Sequence, residues 1–170
     1  MTLKQLLELD ARLSTRLRVA ERPGFIRSCA AVLAHSGDSW FWFAGLAVLW
    51  LLGNVFWKHW ALTILVSILI LAAVVLAIKF TIRRRRPEGE WGAIYRSTDP
   101  HSFPSGHAAR VLLIAVLASG MGPGWLVLVL WIWAPLVALA RTAMGLHYLS
   151  DVLAGGVLGV LAGAVALQFR

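Results

Sequence analysis

The chain has 170 residues, of which 59% are hydrophobic and only 14% charged, and it carries nine tryptophans. The charged share is about half the usual ~25%, and a water-soluble fold of this length cannot bury so much apolar surface, so composition argues against a soluble domain and for a membrane protein. The formal net charge of +8 suits anionic lipid headgroups or a phosphate-bearing substrate, and no nucleic-acid partner is expected, because the charge does not lie on a soluble face.

Leu3, Leu6, Leu7, Leu13 and Leu17 recur at helical spacing, with Lys4, Glu8, Arg12 and Arg16 elsewhere on the wheel. The pattern predicts an amphipathic helix lying on the membrane surface within residues 1–23, interrupted at Pro23-Gly24. This segment lacks the apolar core of a cleavable signal peptide. Residues 25–35 are mildly apolar, too short to span unaided, and whether they cross decides between five and six spans. Cys29 is the single cysteine, so no intrachain disulfide is expected. Clearer spans are predicted at 40–57, 60–79, 107–121, 123–141 and 148–168, judged against the ~20 residues a crossing needs. The 107–121 span is the weakest, being short and holding Arg110. Trp40, Trp42, Trp57, Trp60 and Trp125 fall near span ends, as interfacial aromatics do, and Pro135 predicts a kink inside its span. The expected fold is therefore all-α: one domain over 1–170, a polytopic membrane bundle of five or six transmembrane helices with an N-terminal amphipathic helix.

Polar residues gather on one side of that frame. The 60–79 span delivers Lys79 to a membrane face, and the loop 80–104 stays there. The next span leaves from His107, turns at Gly122-Pro123 and returns to Arg141, after which His147 and Asp151 open the last span. The opposite face receives only Asn54, Lys58, His59 and the Gly-Pro turn. Lys79 and Arg86 are seven residues apart, two helical turns. His147 and Asp151 are spaced i, i+4, so the carboxylate can reach the imidazole, fix its tautomer and stabilise its protonated form. Lys79, Arg86 and Arg141 supply cationic donors that match phosphate oxygens. Ser105 suits a helix N-cap, and its hydroxyl with the Gly106 amide adds neutral donors at a helix start. Three cations, two histidines and one carboxylate fit phosphoryl transfer.

At these residues the chain resembles the type 2 phosphatidic acid phosphatases and their vanadium haloperoxidase relatives. The family has three ordered motifs: Lys, six residues, Arg-Pro; Pro-Ser-Gly-His; and Ser-Arg, five residues, His, three residues, Asp. This chain reads "KFTIRRRRP" at 79–87, "PSGH" at 104–107 and "ARTAMGLHYLSD" at 140–151. It departs from the pattern at Ala140, where the family has serine. That change removes no acid, base or nucleophile, and activity is expected to survive it.

The resemblance implies that His147 attacks phosphorus and forms a phosphohistidine, with Asp151 holding its ring. It implies that His107 protonates the leaving oxygen and that Lys79, Arg86, Ser105, Gly106 and Arg141 bind the phosphate. No cofactor and no metal is implied, and the lysine and arginines would repel a cation. The substrates it implies are membrane lipid phosphates: polyprenyl pyrophosphate, phosphatidylglycerophosphate or phosphatidate. The alternatives are a lipid phosphotransferase using the same site, or a non-catalytic lipid-phosphate binding or transport protein. The expected location is integral to a bacterial cytoplasmic membrane, with the side of the site and the oligomeric state left open. Of the remaining polar residues, Arg83, Arg84 and Arg85 read as headgroup anchors. His35, His59 and His101 read as interfacial or loop residues, and Arg110 as a side chain snorkelling to headgroups rather than touching substrate.

Overall fold

The computed structural model describes residues 2–91 and 99–169. Among the described residues, helix α1 covers Leu3–Leu17 and is opened by a capping box, in which Thr2 and Gln5 bond each other's backbone amides. Its leucines are exposed, whereas Ser14 is buried against the protein. The face turned inward is thus the polar one, and the leucine edge is left for an apolar medium. Helix α2, Phe25–Ser36, has 12 residues, about 18 Å at 1.5 Å per residue against the ~30 Å of a bilayer core. It cannot cross alone. Its Ala30 and Ala34 instead pack with Ala20, Ala140, Met144 and Leu146.

Helix α3 is Ser39–Leu52 and α4 is Val55–Ile82. The boundary lies at Gly53-Asn54, not at the Lys58-His59 pair where the hydropathy pattern put it. Gly53 passes so close to the Leu49 carbonyl that an added Cβ would lie 2.3 Å from its oxygen. Asn54 then caps α4 by accepting from the Trp57 amide at 3.2 Å. Trp60 consequently sits in the core, 4% exposed, and not at an interface. Helix α5 is Gly106–Met121, α6 is Gly124–Ala143, and α7 is Leu149–Ala166, extended by a 3-10 turn over Leu167–Phe169. Pro135 lies inside α6 without ending it. The segments Val55–Ile82, Gly124–Ala143 and Leu149–Phe169 are long and apolar enough to cross a membrane, while α3 and α5 are shorter apolar helices.

Helix α5 is the centre of the bundle: Val111, Leu113, Ile114 and Leu117 are fully buried. One face of α7 presents Gly155, Gly159 and Gly163 to it. A Cβ at Gly155 would lie 2.3 Å from the Ser105 carbonyl oxygen, and one at Gly159 would lie 2.1 Å from that of Ala109. Small residues at i, i+4, i+8 are what let two helix backbones approach this closely. The approach brings the N-terminus of α5 beside that of α7, which is where the two motif histidines reside. Outward, Leu69, Ile70, Leu128, Ile132, Leu153, Val157 and Leu161 are exposed, an apolar exterior suited to lipid.

Candidate active site

Helix α4 ends just after Lys79, with Arg83 in the left-handed conformation (φ 52°) as its C-cap. Lys79, though in an apolar helix, is only 3% exposed. Its Nζ donates to Asp99 Oδ2 at 2.6 Å and to the His101 carbonyl at 2.8 Å. Arg86 reaches the same carboxylate oxygen through Nη2 at 2.7 Å and the Asp99 carbonyl through Nε at 2.7 Å. Its Nη1 donates to the Leu146 carbonyl at 2.9 Å and lies 3.1 Å from His147 Nε2. An arginine can only donate, so Nε2 is the acceptor and His147 carries its proton on Nδ1. That nitrogen faces Asp151 Oδ2 at 3.7 Å, within ion-pair reach and longer than a hydrogen bond. Burial, then the charges of Arg86, Arg141 and Lys79, hold the His147 imidazole well below its ordinary value. The resting ring is neutral, with its lone pair on Nε2.

Asp151 is fully buried and accepts from the Tyr148 amide at 2.9 Å. Its other oxygen takes Arg84 Nη1 at 2.7 Å. Arg84 is thus not a headgroup anchor. Its Nη2 pairs with Asp10 Oδ2 at 2.6 Å, its Nη1 also donates to Ser150 Oγ at 2.7 Å, and its guanidinium lies 4.0 Å from the Tyr148 ring centroid. Helix α1 supplies the rest of this anchorage. Asp10 Oδ1 accepts from the Ser150 amide at 3.0 Å and Ser14 Oγ from that of Leu149 at 2.8 Å, satisfying orphan N–H groups at the start of α7. Burial pushes the Asp10 carboxyl up, but hydrogen bonds from Ser150 and Arg84 overcome it and leave the group below its ordinary value.

Ser105 is fully buried. Its Oγ accepts from the Ala108 amide at 3.4 Å as the α5 N-cap, and its own amide donates to the Asp151 carbonyl at 2.9 Å. The cap uses a lone pair of its oxygen and leaves the O–H as a donor, and its backbone ties two motifs together. Arg141, 1% exposed, stands behind them at the end of α6, and its charge acts on His147. Ala140 packs its methyl into the small cluster around Ala30 and Met144.

Lys79, Gly106, His107 and His147 line one cavity of about 200 Å³, together with Asp99 and Arg110. The structure therefore unites the residues singled out from the three motifs at one end of the bundle, with Arg86, Ser105, Arg141 and Asp151 supporting them from behind. Beyond this polar end the cavity wall is apolar, made by Ile68, Leu71, Ala72, Val75 and Leu76 of α4. A larger cavity of about 870 Å³, lined by Arg18, Arg83, Arg85, Glu88 and His101, shares Arg86 with this region.

Two site residues were not legible in the motifs. Arg110 does not snorkel: its Nη1 donates to the Gly37 carbonyl, and its side chain lines the cavity. Asp38, in the turn between α2 and α3, places Oδ1 2.7 Å from His107 Nε2 and Oδ2 3.0 Å from His35 Nδ1. Burial opposes its ionisation, but the hydrogen bonds from the two imidazoles hold this carboxyl well below the usual range. In sequence, Asp38 looks like an ordinary N-cap before an apolar run. In the structure it occupies that position without making the side-chain cap bond.

The PAP2 superfamily profile matches residues 60–170. The chain is 31% identical over 193 residues to the probable lipid phosphate phosphatase beta of Arabidopsis thaliana, covering 96% of this chain and 90% of that protein. It is 32% identical over 166 residues to the decaprenylphosphoryl-5-phosphoribose phosphatase of Mycobacterium tuberculosis, covering 93% and 88% respectively. The crystal structure of a transmembrane PAP2-type phosphatidylglycerolphosphate phosphatase from Bacillus subtilis shares the fold, with a TM-score of 0.78 at 22% identity over 97% of this chain and 86% of that one. The motifs, the helical frame and a profile match over more than half the chain agree: the chain belongs to the PAP2 superfamily and is an integral membrane phosphatase.

Proposed function

We propose that this protein hydrolyses the phosphate monoester or diphosphate of a membrane lipid through a phosphohistidine on His147. The observation that carries this reading is the anion site itself. Lys79 and Arg86 converge on one oxygen of the Asp99 carboxylate, and Arg86 also touches His147 Nε2. A phosphate exchanged for that carboxylate meets the same cations and places phosphorus beside the nucleophilic nitrogen.

The chemistry follows from the neutral ring. The Nε2 lone pair forms a bond to phosphorus while the bond to the lipid oxygen breaks, and His107 gives its proton to that oxygen. The imidazole becomes cationic as it is phosphorylated, and Asp151 stabilises that charge through Nδ1–H. Water then attacks phosphorus, neutral His107 takes its proton, and the P–N bond breaks to release phosphate. Lys79, Arg86, Arg141 and the Gly106 amide offset charge on the equatorial oxygens. Ser105 caps α5 through its oxygen, and its hydroxyl hydrogen is a further donor for a phosphate oxygen.

Five helices, α3 to α7, form the membrane bundle in this reading, the shorter α3 and α5 crossing only together with their flanking residues, and α1 lies on the surface with its leucines in lipid. The apolar α4 wall below the cations receives the first part of the lipid tail, so substrate enters sideways from the membrane. Polyprenyl pyrophosphate, phosphatidylglycerophosphate and phosphatidate all meet this description. The test is phosphate release from these lipids by detergent-solubilised protein, with His147→Ala as control. Release that depends on His147, with a labelled phosphoenzyme trapped by acid-free quench, is the expected result. Release unaffected by His147→Ala rejects the mechanism, and lipid binding without release favours a non-catalytic carrier.

A further inference from the structure

We propose that Asp38 is a positioning residue for the reaction: it orients His107 and stabilises the protonated ring that, with a lipid phosphate anion in the cavity, gives its proton to the leaving oxygen. The inference rests on the role given to His107 above and adds a residue 41 positions before the first motif. Among the described residues the groups facing the His107 ring or sharing its cavity are mainly cationic: Arg110, Arg141 and Lys79, with His147 opposite. Cations in that number oppose the charged form of an imidazole, and a carboxylate against the ring opposes them. Asp99, the other carboxylate of the cavity, is engaged by Lys79 and Arg86. Asp38 is the carboxylate in contact with His107, at 2.7 Å.

The geometry assigns the protons. An imidazolium has two N–H groups; Asp38 accepts the one on Nε2, and the other remains for the leaving oxygen. When that proton moves, His107 becomes neutral and Asp38 stays ionised, so the ring can then accept the proton of the attacking water. The turn bearing Asp38 is fixed from the catalytic side, because Arg110, one helical turn beyond His107, donates to the Gly37 carbonyl. His35, half exposed, takes the second Asp38 oxygen and completes the orientation. Each imidazole of the site thus has its own carboxylate. Asp151 serves the ring that becomes charged during attack, and Asp38 serves the ring that must be charged before it.

The test compares leaving groups in the full-length protein. Asp38→Asn is assayed on phosphatidate, whose alkoxide needs a proton, and on a nitrophenyl phosphate carrying a long alkyl tail, whose phenolate does not. The expected result is a fall in kcat/KM, which reports the step that expels the leaving group, of about 100-fold on phosphatidate, the scale of general acid catalysis, and less than about 3-fold on the aryl ester. The alkaline fall of kcat on phosphatidate moves to lower pH, and Asp38→Glu restores part of the rate. Should the Asn variant lose its melting transition, Asp38→Ser, a residue favoured at a helix N-cap, is read in the same way. Equal losses on both substrates with an intact melting transition, or no loss on phosphatidate, overturn the proposal. His107→Ala separates the two layers. If it shows the leaving-group pattern and Asp38→Asn does not, only the role of Asp38 falls. If His107→Ala lacks the pattern too, the acid itself has been misassigned.

Discussion

Arg84 holds two carboxylates on one guanidinium, Asp10 from the first helix and Asp151 from the last, and this decides what Asp151 can do. A carboxylate with no solvent exposure costs several kcal/mol to keep ionised unless it is paired and hydrogen-bonded. Arg84 and the Tyr148 amide provide that, leaving Oδ2 aimed at His147. Removing the guanidinium strands a buried anion that then takes up a proton, and in the proposed mechanism a neutral acid cannot balance the imidazolium formed during attack. Arg84→Gln is therefore expected to lower kcat by 10-fold to 100-fold on the scale of a lost charge-assisted contact, roughly 1.4 to 2.7 kcal/mol. KM should change little, because Arg84 is not among the residues lining the substrate cavity. Arg84→Lys, which keeps one ion pair but not the fork, should fall between them. Steady-state kinetics on a lipid phosphate, with melting temperature as a folding control, checks both.

At the scale of elements, the site depends on how close α7 lies to α5. The carbonyls of Ser105 and Ala109 occupy the space where side chains at Gly155 and Gly159 would begin. Gly159→Ala forces the helices apart and should cost about 1–3 kcal/mol, the usual scale of overpacking. It should also cost activity, because His107 and Asp151 ride on the two displaced ends. Gly45→Ala in α3 is the matched control: nothing lies within 4 Å of its added Cβ, so the helix should gain about 0.5–1 kcal/mol with activity unchanged. Melting curves of the two variants in detergent separate a packing requirement from ordinary glycine propensity. The same contrast explains what was legible beforehand. The motif residues could be read because span order fixes which end of each helix shares a face. Helical spacing is not what pairs them: α4 ends at Ile82 before Arg86, and α7 begins at Leu149 after His147. Asp38 and Arg84 could not be read, because their partners lie 69 and 67 to 74 residues away and only packing brings them together. The α3–α4 boundary was misplaced because hydropathy runs almost unbroken through Gly53-Asn54, where a C-cap glycine ends one helix and an asparagine cap starts the next. The glycines of α7 read as ordinary span residues until their backbone neighbours were known.

Across the whole molecule, cationic groups and apolar helices meet at one end of the bundle, and the site inherits both effects. His147 is at once buried and surrounded by Arg86, Arg141 and Lys79, so the folded protein binds a proton there less readily than the unfolded chain, whose imidazole titrates near 6.5. Between the lowered folded value and about 6.5 the unfolded state holds more protons, so stability rises with pH in that window. The contribution is fully present above about pH 6.5 and is lost as pH falls toward the folded value. Asp10 and Asp38 are also held below their ordinary values, but their windows begin only near pH 4 and do not overlap the upper part of this one. Melting temperature measured from pH 7.5 to 5 should therefore fall more steeply for the native protein than for His147→Gln. The excess slope approaches, and cannot exceed, the ~1.4 kcal/mol per pH unit of a single proton. Inorganic phosphate gives the argument its second arm. A bound phosphate anion beside His147 offsets the three cations and favours the imidazolium, so saturating phosphate should flatten the native slope and leave that of His147→Gln unchanged. A native slope that ignores phosphate would mean that the anion does not sit against His147, whatever else it binds.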